Sequence, residues 1–218
     1  MKFVYLILAR KGSVRLKNKN LKKINNKTLV ERTIEFSKKI SNLKNIILST
    51  DSNKIKNLGL KNKLNIPYLR PKKISQNKTS SYLSAIHAIN LYEKKNGKID
   101  AIVLLQPTTP HRSIKTFKKI LRLFLRDTSK PLVSVKKMNL TSDKFFIKKK
   151  DLIIKYQNKN FAKEIYILNG AYFLITKRLL KKNKDFLSEK MNFFEIKNIK
   201  ENIDIDSNND LNLARKLC

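Results

Sequence analysis

Two uninterrupted apolar runs constrain this chain more than anything else in it: FVYLIL at 3–8 and AIVLL at 101–105. A strand with one face in water alternates apolar and polar residues, whereas a strand covered on both faces has no polar side to show. Both runs are shorter than an ordinary helix, and neither approaches the roughly 20 apolar residues that cross a bilayer. They are read as central strands of a sheet packed on both sides.

Stretches with helical spacing lie between and after them. Leu29–Lys39 carries Leu29, Ile34 and Phe36 at helical intervals, and further helices are expected at about 53–63, 80–95 and 113–126. Strands are expected at 45–49, 66–69 and 131–135. Such alternation implies an α/β fold, a mostly parallel Rossmann-like sheet flanked by helices, with ligands bound beyond the carboxyl ends of the strands. The rhythm breaks over 136–168, where KFFI and LIIKY sit among lysine-rich turns; this is read as a small β-rich excursion, a candidate arm for dimerisation. It resumes with a strand at NGAYFLI, a helix after Thr176, a strand through Ile203–Asp206 and a closing helix from about Asn208 to Leu217. One domain over 1–218 accounts for the whole chain.

The charge is extreme, with 50 Lys+Arg against 16 Asp+Glu and a net +34. Clustered cations would imply a nucleic-acid partner through counterion release. Here the positive charge is mostly lysine, scattered from end to end among Asn and Ile, and no recognised RNA-binding signature accompanies it. A solvated surface is the expectation, with no specific nucleic-acid partner. Cys218, the one cysteine, permits no intrachain disulfide. The opening apolar run stops at Arg10 and Lys11 without a small-residue cleavage site, so a strand is expected there and not a signal peptide. A cytoplasmic protein without a membrane span follows.

Two segments look chemical. ARKGSVRLKNKN, 9–20, directly follows the first strand: Gly12 lets the backbone approach a ligand, Ser13 donates, and Arg10, Arg15 and Lys19 supply charge, together an anion cradle. It lacks the glycine–lysine pattern of the ATPase phosphate loop and the spaced glycines of a dinucleotide-binding turn. In ENIDIDSNNDL, 201–211, several of the chain's scarce acids are gathered. In an extended segment Asp204 and Asp206 share one side while Ile203 and Ile205 share the other, so the carboxylates either repel or hold something positive.

The basic loop resembles the nucleotide-binding signature of the acylneuraminate cytidylyltransferases. STD at 49–51, LRP at 69–71, SS at 80–81, LLQPTTPHR at 104–112, LNGAYF at 168–173 and IDID at 203–206 follow in that family's order. The resemblance implies CTP as nucleotide and a nine-carbon 2-keto acid sugar as acceptor, CMP being transferred from one to the other. It implies Arg10, Gly12, Ser13, Arg15, Lys19 and Asn20 on the triphosphate and ribose, Arg70 and Ser81 around the cytosine, and Gln106 and Asn169 on the acceptor. Asp204 and Asp206 would hold Mg²⁺, a hard cation suited to oxygen ligands, and Arg10 and Lys19 join them as implied catalytic groups. A homodimer is implied through the 136–168 arm.

The match has gaps. Val14 stands where many members carry lysine, NKTSS replaces Asp-Thr-Ala-Ser-Ser, and the arginine that grips the sugar carboxylate has Lys159 at its place, with Lys163 nearby. Lysine keeps the charge and loses the bidentate fork. Asp51 is expected as a helix cap or a functional acid, and Asp210 as a first-turn helix acid. His87 is expected packed or on the surface, leaving no evident base. A catalytically silent member of the fold and a basic nucleic-acid-binding protein are the alternative readings.

Overall fold

The computed structural model describes residues 1–13, 15–66, 68–77, 79–138, 146–149, 152–155 and 164–218. Val14, Lys159 and Lys163 lie outside them. In chain order the elements are β1 (Phe3–Leu8), β2 (Lys23–Ile24), β3 (Lys27–Thr28), α1 (Leu29–Ile40), β4 (Ile46–Ser49), α2 (Asn53–Lys61), α3 (Ser81–Asn96) and β5 (Ala101–Leu104). Then follow α4 (Ile114–Arg126), β6 (Leu132–Met138), β7 (Phe146–Lys149), β8 (Leu152–Lys155), β9 (Ile165–Thr176), α5 (Lys177–Asn183), β10 (Asn192–Glu195) and α6 (Asn208–Lys216).

The main sheet has six strands in the order β10-β6-β9-β5-β1-β4. β1 pairs in parallel with β4 and β5, and β10 in parallel with β6, while β9 runs antiparallel to both its neighbours. The apolar runs have the cause expected of them. Val4, Leu6, Ile102 and Leu104 enter one core with Ala85, Ala88 and Ile89 of α3 and Leu179 of α5. Tyr5, Ile7, Ala101 and Val103 enter the opposite core with Val30, Ile34 and Phe36 of α1, Ile55 of α2 and Phe117, Ile120 and Phe124 of α4. Each face is covered by helices, so the strands have no polar side.

Helix starts follow local chemistry. Thr28 and Glu31 form a reciprocal capping box on α1, and Ser52, Ser113, Thr176 and Ser207 accept an amide N–H at the starts of α2, α4, α5 and α6. Each such cap contributes about 1 kcal/mol. Asp210 closes the box with Ser207, as its first-turn position implies. Ser80 precedes α3 without a side-chain capping bond.

Three expectations are corrected. Residues around 66–69 form no strand among the described ones: the amide of Arg70 reaches Thr50 O at 2.7 Å, a single bond beyond the end of β4, and Pro67 has no N–H to give. Ile203–Asp206 is extended but is not a sheet strand, because among the described residues a single backbone bond, from Ile205 N–H to Thr108 O at 2.8 Å, ties it to a turn. Asp51 does not cap α2; Ser52 does, and Asp51 Oδ1 accepts the Lys11 amide at 2.6 Å. The expected arm falls largely outside the described residues, within which β7 and β8 pair antiparallel as a separate two-stranded sheet.

Candidate active site

The carboxyl ends of β1 and β5 open onto a cleft of about 340 Å³. The basic loop forms one wall, pinned at several points. Ala9 N–H continues the ladder to Ser49 O at 3.0 Å, Asp51 holds the Lys11 amide, and Asn20 Nδ2 donates to Arg10 O at 2.8 Å. Leu16 is buried in a small core with Ile203, Ile205, Leu211 and Ala214. That cluster joins the basic loop to the acidic segment, each buried isoleucine contributing about 2 kcal/mol. Gly12 faces open space on the cleft side, leaving backbone accessible to a ligand.

The facing wall carries Asp204 and Asp206. Asp206 accepts from Arg15 Nη2 and Lys19 Nζ, each at 2.7 Å. Asp204 lies deeper. Burial raises its pKa, a hydrogen bond from Thr108 opposes the rise, and the neighbouring Asp206 charge adds to it. Its Oδ1 is buried with no hydrogen-bond partner. An orphaned carboxylate oxygen beside a second carboxylate suits a hard divalent cation. Among the described residues no group of three or more His, Cys, Asp or Glu could hold a metal, so these residues offer two carboxylates here at most. Two carboxylates completed by water and substrate phosphates are a usual donor set for Mg²⁺.

The third wall is Arg70 with residues 74–77, Thr79, Ser81 and Ser84. Arg70 is 5% exposed, donates from Nε to Ser75 Oγ at 3.1 Å, and has its pKa lowered by burial. Ser84 Oγ donates to Ile74 O at 3.1 Å and fixes this turn against α3, which presents Ser81 to the cleft. Gln106 lines the opposite end, just past β5.

The cleft thus brings together Arg10, Gly12, Ser13, Lys19, Asn20, Arg70, Ser81, Gln106, Asp204 and Asp206. Arg15 reaches it only through Asp206, its side chain 72% exposed. Asn169 is turned away from the expected acceptor contact. It is 1% exposed; its Oδ1 accepts from Ser134 Oγ at 2.6 Å and from the Ala171 amide at 3.2 Å, and its Nδ2 donates to Asn202 Oδ1 at 2.8 Å. With donor and acceptor both engaged, it ties β9 and β6 to the segment carrying the aspartates. His87 stacks edge-on against Tyr68 at 5.3 Å and His111 Nε2 sits 3.2 Å from Ala214 O, so neither imidazole lines the cleft.

Sequence reasoning missed the β-bulge behind the acids. Pairing of β6 with β9 slips between Val133 and Val135, leaving Ser134 to serve both Asn169 and Tyr172, and within the bulge Gly170 has φ +73°. A Cβ there would meet Asp204 Oδ2 at 3.0 Å and Thr109 Oγ1 at 3.1 Å. The Asn-Gly dipeptide was the available signal, since such pairs favour positive φ.

The sequence matches the family model described as cytidylyltransferase over residues 4–218. It is similar to the CMP-N,N'-diacetyllegionaminic acid synthase of Legionella pneumophila, 30% identical across 100% of this chain and 96% of the relative. The N-acylneuraminate cytidylyltransferase of Escherichia coli is 28% identical over 98% of this chain, which spans 51% of that longer protein. Among solved structures, a CMP:2-keto-3-deoxy-manno-octonic acid synthetase complexed with CTP superposes with a TM-score of 0.69 at 14% identity, covering 100% of this chain and 98% of the other. At that identity the likeness speaks for the fold. No helix among the described residues is long and apolar enough to cross a membrane. A family match that runs nearly from end to end, supported by a full-length relative, makes this chain a member of the cytidylyltransferase family.

Proposed function

We propose that the chain transfers CMP from CTP to the anomeric hydroxyl of a nonulosonic acid, with Mg²⁺ as cofactor and pyrophosphate as the other product. The observation that carries this reading is the cleft's polarity: a cationic loop faces two carboxylates across a gap at the ends of β1 and β5. A neutral or anionic sugar alone would not call for both. The acceptor class rests on relatives named for legionaminic, pseudaminic and acylneuraminic acids.

In this mechanism the loop binds the triphosphate through Arg10, Ser13 and Lys19, with Asn20 set against the ribose, while Arg70 and Ser81 bound the base. Gln106 orients the acceptor. The anomeric oxygen forms a bond to the α-phosphorus and releases its proton to solvent as the bond to the bridging oxygen breaks, and the pyrophosphate carries away the electron pair. Most of the acceleration comes from alignment and fixed charge, because no covalent intermediate with the protein is needed. Asp204 and Asp206 would hold Mg²⁺, which supplies positive charge at the phosphates when bound.

The test is pyrophosphate release with CTP and Mg²⁺ against N-acetylneuraminic, legionaminic, pseudaminic and ketodeoxyoctonic acids, repeated with ATP, GTP and UTP. Release with CTP and one nonulosonic acid is the expected result. Silence with every acceptor would remove the proposed class.

The protein is proposed to act as a homodimer. Ile167 and Leu168 of β9 and Phe193 of β10 are large apolar side chains left exposed, with the Tyr166 and Phe193 rings 5.2 Å apart, and such a patch is suited to burial by a second copy. Sedimentation equilibrium should give twice the chain mass at micromolar concentration; a single-chain mass would remove the assembly.

A further inference from the structure

Arg112 closes the motif LLQPTTPHR, and neither the cleft nor the transfer step as described uses it. Its guanidinium turns into the protein. Nη2 donates to Gln106 O at 2.6 Å, Nη1 to Thr109 O at 2.5 Å, and Nε to Ala171 O at 3.0 Å. The guanidinium carbon lies over two neighbouring rings, 5.9 Å from the Phe36 centroid and 5.7 Å from that of Tyr172, the rings themselves being 6.1 Å apart. Burial lowers its pKa to about 10, with Tyr172, Asp204 and Glu201 opposing, so it remains a cation at neutral pH.

Its three acceptors are placed to constrain one object. Gln106 O and Thr109 O are the two ends of a β-turn, closed by the Thr109 amide on Gln106 O at 3.3 Å, with Pro107 at the position where a fixed φ favours such a turn. Ala171 O belongs to β9, one residue past Gly170. The turn in turn suspends the acidic segment: Thr108 O accepts the Ile205 amide at 2.8 Å, and Thr109 Oγ1 donates to Asn169 O at 3.4 Å. Ile205 is the residue between the two aspartates.

We infer that Arg112 is a positioning residue, a buried fork that fixes the 106–109 turn and through it sets both Gln106 and the pair Asp204 and Asp206. The first consequence rests on the proposed acceptor reading; the second needs only two carboxylates and a divalent cation. None of its bonds reaches the basic loop or Arg70, so it touches the nucleotide half of the cleft only indirectly, through the pairing of Asp206 with Arg15 and Lys19 and the packing of Ile203 and Ile205 on Leu16. Lysine cannot replace it, because an ammonium on a flexible stem does not span three carbonyls in one plane.

The test is Arg112→Lys, which keeps the buried charge, together with Pro107→Gly, which loosens the same turn and leaves the buried cation alone. Three quantities are measured: CTP affinity without metal, Mn²⁺ affinity of the CTP complex by electron paramagnetic resonance, and KM for the acceptor the wild type uses. For Arg112→Lys, metal-free CTP affinity should stay within about twofold while Mn²⁺ binds about tenfold more weakly, the range seen when a group orienting a metal ligand is lost. Acceptor KM should rise alongside. Pro107→Gly should show the same pattern at smaller size. Unchanged Mn²⁺ affinity in both variants, or CTP affinity lost in parallel with it, would overturn the inference. A wild type silent toward every acceptor would defeat the proposed function and leave the Mn²⁺ comparison to decide this one.

Discussion

Asp206→Asn should lower turnover with CTP and Mg²⁺ by more than about 100-fold, since groups that merely orient a metal ligand are worth about 10–100-fold. The fold should survive. Asparagine has the same shape, and the Asp206 side chain, 37% exposed, makes ion pairs among the described residues only with Arg15 and Lys19. Arg15 is largely in solvent, and such pairs contribute about 0–1 kcal/mol. Asp206 occupies two cations of the anion cradle in the free protein, so its neutralisation should leave metal-free CTP affinity equal or tighter while catalysis is lost. Calorimetry of CTP binding beside a pyrophosphate assay separates the two. Turnover at the wild-type level in this variant would sink the metal assignment.

Gly170→Ala should damage both stability and activity, for one geometric reason. At φ +73° an L side chain is strained, and the added methyl would approach Asp204 Oδ2 at 3.0 Å, Asp204 Cγ at 3.2 Å and Thr109 Oγ1 at 3.1 Å. The aspartate has little room to yield, because its other oxygen is already buried. A loss of about 1–3 kcal/mol in urea unfolding is expected from the backbone strain and close contact. A fall in turnover of about 10-fold or more should accompany it, following displacement of a metal-orienting group. Full activity in this variant would show that the position of Asp204 is not critical.

The fold was legible where a local cause acts alone. FVYLIL and AIVLL are apolar throughout because helices cover both faces, and Thr28, Ser113 and Ser207 announce helices by capping them. The site was legible in its charges, since the loop at 9–20 and the acids at 204 and 206 do meet across one cleft. The alternation of Ile203 and Ile205 with the two aspartates also held, although no strand ladder enforces it; burial of the isoleucines beside Leu16 does. What escaped depends on distant partners. Nothing near Arg112 in the sequence says that its guanidinium folds inward onto Ala171, and nothing near Asn169 says that Ser134 and Asn202 consume its amide. The short edge strand β10 gains its ladder from β6, some 60 residues earlier in the chain.

Reversed in direction and entering the sheet from the cleft side, β9 delivers residues 169–171 to the same rim that Leu8 and Leu104 reach from below. The groups proposed to hold the nucleotide come from residues 10–81, whereas Gln106, proposed on the acceptor, its supports, and the two aspartates proposed to hold the cation come from residues 106–206. Two successive stretches of chain therefore build two halves of one cleft. On the proposed reading, changes around Gln106 would suit the cleft to a new acceptor while residues 10–81 and the two aspartates keep the nucleotide and its cation in place.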